Sequence, residues 1–410
     1  MKIMYVTTAL KAPNGVCAVN VIEELMKTGH KVSVFTQSNI AGEVRCPCQV
    51  IYSKHHSIHT KKERFKEQHP KSKLNKLIDF LYRVWIVLCY PIWPISSPLF
   101  VHNFAIEAHR KAKENDVDII ITEYGDIACL NAGRIVKNKE NRIRVIAYFI
   151  DALYCGAKPS RMSIEAKNKK ALHWENKMLA DYDKVIMMEA TKDRYSKIGD
   201  EILFEKKLTF LDIPMLKRLG LDEMTDNNHK LEDRIVFAYI GSMPRNIRNP
   251  KYLLELFKRI NNPKWSLYIY GSNEYIDLIE DYKNYNVIYK GFVSHDVAIS
   301  VLKEADYLIN IGNSFPEMVP SKIFEYMSMG KPIISTFKIA DDPCNHYLSF
   351  YANSICLDEN TSFSDNQRRL VYFINDCREN GNIESFEELT LREGPLYKNT
   401  PKAFVECLEE

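Results

Sequence analysis

Glu317, Ser321, Lys322 and Glu325 stand within nine residues of one another, in the stretch Ile311–Thr336 that reads IGNSFPEMVPSKIFEYMSMGKPIIST. A carboxylate only accepts hydrogen bonds, so Glu317 and Glu325 suit the hydroxyls of a ribose or hexose and would repel a bare phosphate. The unpaired N–H groups of a helix start, with Lys322 beside them, favour that phosphate. Together these groups suit a phosphorylated sugar. The surrounding pattern supplies the elements. Tyr307, Leu308 and Ile309 form an apolar run that reads as a buried strand, broken at the turn-forming Asn310, Gly312, Asn313, Ser314 and Pro316. Pro320 and Ser321 open a helix, with Ser321 predicted to cap its first turn and Ile323, Phe324 and Met327 forming its buried face. Gly330 ends that helix, and Lys331-Pro332 turns the chain into a strand over Ile333–Thr336. Glu325, four residues past Ser321, lies on the same helix side one turn deeper. A capped helix bearing solvated acids is the plainer alternative.

Such a unit needs a scaffold, and the chain is long enough for two domains with separate cores, at 410 residues and 46% hydrophobic content. A formal charge of +3 gives no case for nucleic acid as the main partner. The ten cysteines include no C-x2-C pair or zinc-type grouping, and Cys46-Pro47-Cys48 is too short for a metal site by itself. They read as cytosolic thiols. The chain opens directly on a strand-like run, Met1–Thr8, without a signal or transit sequence, which predicts a cytoplasmic protein.

The first half alternates strands and helices. Ile3–Val6 reads as a strand, Thr7–Val16 as a loop, and Val19, Ile22, Leu25 and Met26 recur at helical spacing before a strand over Val32–Phe35. The loop lacks the G-x-G-x-x-G dinucleotide fingerprint, which disfavours an NAD-dependent oxidoreductase, although Gly15 would let backbone approach a ligand or simply make a turn. Lys54–Lys76 carries eight basic and two acidic residues, a net +6, and is followed by the apolar block Leu77–Val101, rich in Trp and Tyr and interrupted by prolines. It is too short to span a bilayer. It suits an interfacial segment on an anionic membrane surface, or else a helix packed into the core with a solvated basic hairpin beside it. Arg144–Ile150 is predicted as a strand that delivers Asp151 at its carboxyl end, where open α/β sheets place ligand contacts; Asp151 could equally cap a turn. Asp181-Tyr182-Asp183 imitates a metal-binding D-x-D, but it lies between a helix and a strand and reads as solvated turn acids.

After a polar stretch around Asp226-Asn227-Asn228, a second series begins with the strand Ile235–Ile240, ending at Gly241. A loop with Arg245 and Arg248 follows, before a helix over Tyr252–Ile260. Trp265–Tyr270 is the next strand, closed by Gly271, and Val287–Tyr289 another, with Phe292 just past it.

Glu317 and Glu325 with seven residues between them, then Tyr326, Gly330 and Pro332, resemble the E-x7-E signature of retaining glycosyltransferases of the GT-B fold, family 4 type. The variant PSKIFEYM is similar to a subgroup found among transferases of bacterial surface polysaccharides. The resemblance covers about Ile235–Thr336 well and the first half only by layout. It implies that Glu325 holds the donor ribose and Glu317 the transferred sugar. It also implies that the Met318 and Val319 amides, Ser321, Lys322 and Arg248 neutralise a leaving diphosphate without a metal ion, and that Phe292 lies near the base. Where the family carries an arginine after the first glycine this chain has Ser242, with Arg248 near the place of the family lysine and Arg245 in the same loop. Where family members often carry a histidine, it has Asp151.

The expected architecture is α/β, a GT-B arrangement of two Rossmann-like domains facing a cleft. An acceptor domain over 1–215 and a linker over 216–233 precede a nucleotide-sugar domain over 234–390 and a helical tail over 391–410. The expected activity is transfer of a sugar, first choice from a UDP-sugar, to a glycan or polyprenyl-linked acceptor, with no cofactor beyond the donor. Residues 54–100 would touch the inner face of the membrane. A sugar-nucleotide-binding subunit without transferase activity is the alternative, motivated by the missing histidine.

Overall fold

The computed structural model describes residues 1–10, 14–37, 44–156, 158–159, 161–217, 234–245, 247–314, 321–380 and 386–409. Glu317, Met318 and Val319, and most of the expected linker, lie outside them. The chain divides into two compact units, Met1–Pro214 with Pro401–Glu410, and Met215–Thr400. The last helix therefore belongs to the first unit and forms no tail of its own.

The first unit contains β1 (Lys2–Val6), α1 (Asn14–Lys27), β2 (Lys31–Thr36), β3 (Gln49–Tyr52), α2 (Ile58–Gln68), α3 (Leu74–Leu88) and α4 (Pro98–Glu114). It continues through β4 (Ile119–Glu123), α5 (Ile127–Lys139), β5 (Arg144–Tyr148), α6 (Ile164–Leu179), β6 (Lys184–Met188), α7 (Lys192–Ser196) and β7 (Leu208–Leu211). Its seven strands are all parallel, in the order β3-β2-β1-β4-β5-β6-β7. The middle strands read as unbroken apolar runs because helices cover both faces of a parallel sheet. Val6, Ile120, Val145, Met187, Phe104 and Phe149 are almost wholly buried in one cluster.

The second unit runs β8 (Ile235–Ile240), α8 (Lys251–Ile260), β9 (Trp265–Tyr270), α9 (Ile276–Glu280), β10 (Val287–Gly291), α10 (His295–Glu304), β11 (Tyr307–Ile311) and α11 (Lys322–Ser328). Then come β12 (Ile333–Phe337), α12 (Pro343–Leu348), β13 (Ser354–Asp358), α13 (Phe363–Asn380) and α14 (Phe386–Thr390). Its parallel sheet has the order β10-β9-β8-β11-β12-β13, so both sheets reverse direction beside their own first strand. Phe237 anchors the core, with rings of Phe257, Trp265 and Tyr307 within 5.2 Å of its centroid. Each such buried aromatic contributes roughly 1.5–3 kcal/mol through area removed from water. Finally α15 (Pro401–Glu409) returns to the first unit, where Arg144 and Lys184 donate to the Leu408 and Cys407 carbonyls and Phe404 packs edge-on to Tyr148.

Three local expectations change. β11 continues through Asn310 to Ile311, because the Asn310 side chain donates to Ser335 Oγ at 2.9 Å inside the sheet. β5 ends at Tyr148, which leaves Asp151 on a bend beyond the strand. α1 begins at Asn14, so Gly15 lies in a helical first turn; the strand β3 has no counterpart among the expected elements.

Candidate functional site

In an open parallel sheet the loops leaving adjacent strands diverge where the strand order reverses, and a crevice opens at their carboxyl ends. In the second unit that place lies between β8 and β11. The singled-out residues of the second half gather around it. Gly241 and Gly271 end β8 and β9, Arg245 and Arg248 follow β8, and Ser321, Lys322 and Glu325 belong to the start of α11 after β11.

The glycines are dictated by backbone contact. Gly271 has φ of +117°, and a Cβ there would lie 2.1 Å from the Gly241 carbonyl oxygen. No side chain fits both demands. The loops after β8 and β9 are therefore laid against one another, and the Met243 N–H donates to the Ser272 carbonyl at 2.9 Å.

Across the crevice, the Ser314 N–H and hydroxyl both donate to the Ile247 carbonyl, at 2.8 and 3.1 Å, which joins the β11 loop to the β8 loop. Arg248 is half-buried between them, its Nη1 donating to the Ser242 carbonyl at 3.2 Å; the same oxygen accepts from the Tyr239 hydroxyl at 3.1 Å. Burial raises the pKa values of Tyr326 and Asp342, and the Arg248 charge opposes part of that rise. Arg245 is exposed and differently used. Its Nε and Nη2 each donate to the Glu274 carbonyl at 3.2 Å, so it straps the β8 loop to the β9 loop.

α11 is fixed by Tyr326, whose buried hydroxyl accepts from the Ile240 N–H and donates to the Ile240 carbonyl, both at 3.2 Å. That double bond to the end of β8 holds the neighbouring Glu325, which is buried and has Lys322 Nζ 3.4 Å from its Oε2. A buried carboxylate paired with one lysine at the mouth of a crevice retains acceptor capacity for further donors. The expected Ser321 cap is not formed. Ser321 is itself helical, φ −57° and ψ −23°, whereas a capping side chain reaches back from an extended residue. Phe292 is 81% exposed beyond β10, which excludes the reading of it as core.

Asp342 is the residue that sequence reasoning missed. Its Oδ2 accepts from the Asn313 N–H at 3.0 Å and would meet a Gly312 Cβ at 2.4 Å, while Oδ1 caps α12 through the Cys344 N–H at 2.9 Å. One buried carboxylate thus sets the path of the loop leaving β11. The signal was an acid directly before Pro343, the N-cap and N1 pattern of a helix.

The first unit holds Gly15 and Asp151. A Cβ on Gly15 would lie 2.4 Å from the Leu10 carbonyl carbon, so the approach it permits is that of the protein's own loop. Asp151 is exposed on its bend, with nearby protein raising its carboxyl pKa by desolvation. The segment after it is clamped from below. Buried Glu175 accepts from the Tyr154 N–H at 3.0 Å and from the Tyr195 hydroxyl at 2.9 Å, and Lys167 Nζ donates to the Tyr154 carbonyl at 2.6 Å. Burial pushes the Glu175 carboxyl up to about 7. Asp183 is occupied structurally, its carboxylate taking Lys137 Nζ at 2.7 Å and the Val145 N–H at 2.7 Å. Among the described residues no group of three or more His, Cys, Asp or Glu could hold a metal ion.

An architecture of two doubly wound parallel sheets matches solved structures over the whole length of the chain. The architecture is the GT-B fold. The Anabaena protein HepE, solved in complex with UDP, matches over 100% of both chains with a TM-score of 0.59 at 14% identity. WaaG, a glycosyltransferase involved in lipopolysaccharide biosynthesis, matches over 99% of both chains with a TM-score of 0.56 at 13% identity. A Listeria monocytogenes protein described as a UDP-N-acetylglucosamine 2-epimerase matches over 100% of this chain and 95% of its own, at 0.56 and 9% identity, so the GT-B fold alone does not choose a reaction. Residues 234–346 match the family described as glycosyl transferases group 1. No curated protein matches the chain in sequence. The matched segment runs from β8 into the first turn of α12 and so contains the crevice residues of the second unit.

Proposed function

We propose that this protein is a retaining, family 4-type glycosyltransferase that moves a sugar from a UDP-sugar to a glycan or polyprenyl-linked acceptor, in surface polysaccharide biosynthesis at the cytoplasmic face of the membrane. The observation that carries this reading is the buried Glu325, paired with Lys322 and locked by Tyr326 to the end of β8 inside the group 1 segment. Glu325 accepts hydrogen bonds from the donor ribose. Arg248, Lys322, Ser321 and the Met318 and Val319 amides take the diphosphate, Phe292 covers the base, and Glu317 holds the transferred sugar. HepE's complex with UDP supports the choice of nucleotide. As the bond from the anomeric carbon to the diphosphate oxygen breaks and the acceptor oxygen bonds to that carbon, negative charge grows on the departing phosphate, which takes up the proton of the acceptor hydroxyl. Cationic and N–H donors that meet this growing charge stabilise the transition state more than the ground state. Asp151 positions the acceptor or offsets positive charge on the sugar.

The test is a screen of nucleotide sugars by thermal shift, followed by transfer to lipid-linked acceptors with and without EDTA. Binding of UDP-sugars and EDTA-resistant transfer are expected, because side chains and amides replace the cation. A strict requirement for magnesium or manganese would overturn the metal-free assignment. Asp151 in place of a histidine favours one second reading, a sugar-nucleotide-binding subunit without activity. UDP-sugar binding with neither transfer nor donor hydrolysis would select it.

A further inference from the structure

Helix α3 buries none of its residues. Of its ten exposed positions, eight are apolar and two, Lys76 and Arg83, are basic; no acid is exposed on it. At 100° per residue the exposed apolar side chains fill an arc of about 160°, with Lys76 and Arg83 at one edge of that arc. Leu74, Leu77, Phe80, Leu81, Val84 and Leu88 are each between 42% and 67% exposed. The opposite side is covered. There α2 packs on α3, the helix's one acid, Asp79, pairs with Lys66 at 3.1 Å and Lys62 at 3.5 Å, and Lys62 lies 4.4 Å from the centre of the Tyr82 ring. Helix α3 therefore neutralises its inward-side acid and exposes only apolar and cationic groups, with Lys54, Lys61, Lys71 and Lys73 also exposed around it against one exposed acid of α2, Glu67.

A patch of this composition discriminates between occupants. A second copy would bring the same positive rim against itself, a like-charge juxtaposition that costs binding. A lipid surface bearing negative headgroups matches both parts, taking the apolar arc below the headgroups and the lysines at their level. No helix among the described residues is long and apolar enough to cross a membrane, which fits a helix lying in the interface plane.

We infer that α3 is an in-plane docking helix for an anionic lipid bilayer, seated by its Leu74–Leu88 face and oriented by Lys76 and Arg83. This deepens the membrane setting of the proposed function by naming the surface that makes the contact, and it rests on that reading only for the nature of the acceptor. The full chain is sedimented with vesicles of equal parts phosphatidylglycerol and phosphatidylcholine, and with vesicles of phosphatidylcholine alone, while UDP binding is measured on the same preparations. The wild type is expected to bind the anionic vesicles at least tenfold more tightly than the neutral ones. The double variant Leu81→Glu with Leu88→Glu should lose both, and Lys76→Glu with Arg83→Glu should lose about tenfold on anionic vesicles only. All four side chains are exposed, so both variants should keep wild-type UDP affinity and melting temperature. No vesicle binding by the wild type, or binding unchanged in the leucine variant, overturns the inference. So does a wild-type dimer that the leucine variant dissolves, which would assign the face to a second copy. Loss of UDP binding in all preparations would count against the transferase reading and leave the vesicle result standing.

Discussion

In the first sheet, the ends of the two strands where the order reverses carry Tyr5 on β1 and Glu123 on β4, joined by a 2.8 Å hydrogen bond and shut away from solvent. In the second sheet the corresponding ends of β8 and β11 lead to half-buried Arg248 and to the Lys322–Glu325 pair on α11. The topology is common to both, so the crevice itself does not determine chemistry. What differs is how the polar groups are used. The first unit spends its strand-end carboxylate on its own tyrosine, and Gly15 admits the Leu10 backbone. In the second, Gly271 and Gly241 draw two loops together, and Tyr326 fixes α11 from beneath, which leaves Glu325 and the cations at the loop mouths. Replacing groups in the two crevices should therefore have different kinds of effect, on ligand binding in one and on stability in the other.

The largest effect is expected at Glu325. Hydrogen bonds to a charged group contribute about 1.5–3 kcal/mol, so Glu325→Ala should weaken UDP binding by about ten- to a hundredfold with little change in melting temperature. Titration calorimetry measures this. Near-wild-type affinity would mean that the two crevices do not differ as argued. Arg248→Ala comes next, with a loss of about tenfold for UDP and far less for uridine, since a guanidinium serves the diphosphate. Arg248→Lys should recover part of it. An equal loss for uridine and UDP would assign Arg248 to loop structure, through its bond to the Ser242 carbonyl.

How much of this was legible follows from what periodicity reports. β8 and β9 were readable to the residue, because buried parallel strands are short apolar runs bounded by polar turns. β3 was not: it is a half-exposed, four-residue edge strand without such a run. The tail was misplaced because nothing in Pro401–Leu408 says which core its apolar face joins. Glu325 and Lys322 were singled out by type and spacing, and Arg248 through the resemblance, by its place in the loop after β8. Asp342 and the Tyr326 bond were missed as determinants of the site, since each acts on residues up to 86 positions away that only folding brings near. Ser321 was misread for a related reason. A serine before a helix satisfies the capping pattern whether or not its backbone is extended.

A stability effect is expected from the first crevice. Burial pushes the Glu123 carboxyl from 4.5 up to about 7, despite the Tyr5 bond that opposes the shift. The folded state therefore holds this proton where the unfolded chain has released it. Stability from this group is complete below about 4.5 and falls as pH rises to about 7, where the folded group also ionises. Glu123→Gln should remove that slope, leaving the variant more stable than the wild type at pH 8 by roughly 1 kcal/mol, because a buried amide has a desolvation cost of its own. Denaturant midpoints at pH 5 and pH 8 decide it: the part of the slope that buried Glu175 contributes should remain, and a slope undiminished from the wild type would assign the titration away from Glu123. UDP affinity should not change.

The smallest effect separates two roles for one hydroxyl. If Ser321 capped α11, Ser321→Ala would cost about 0.5–2 kcal/mol of stability. Its helical backbone and lack of a side-chain cap bond argue otherwise, so the melting temperature should stay within about a degree. As a neutral donor to the diphosphate it contributes about 0.5–1.5 kcal/mol, which makes the expected loss of UDP affinity about two- to tenfold. Thermal melts and UDP titrations on the same sample distinguish the cases. A lowered melting temperature with unchanged affinity would return Ser321 to the helix, and the diphosphate would then rest on Lys322, Arg248 and backbone amides. The second crevice would still differ from the first, but by its cations rather than by its whole loop-to-helix junction.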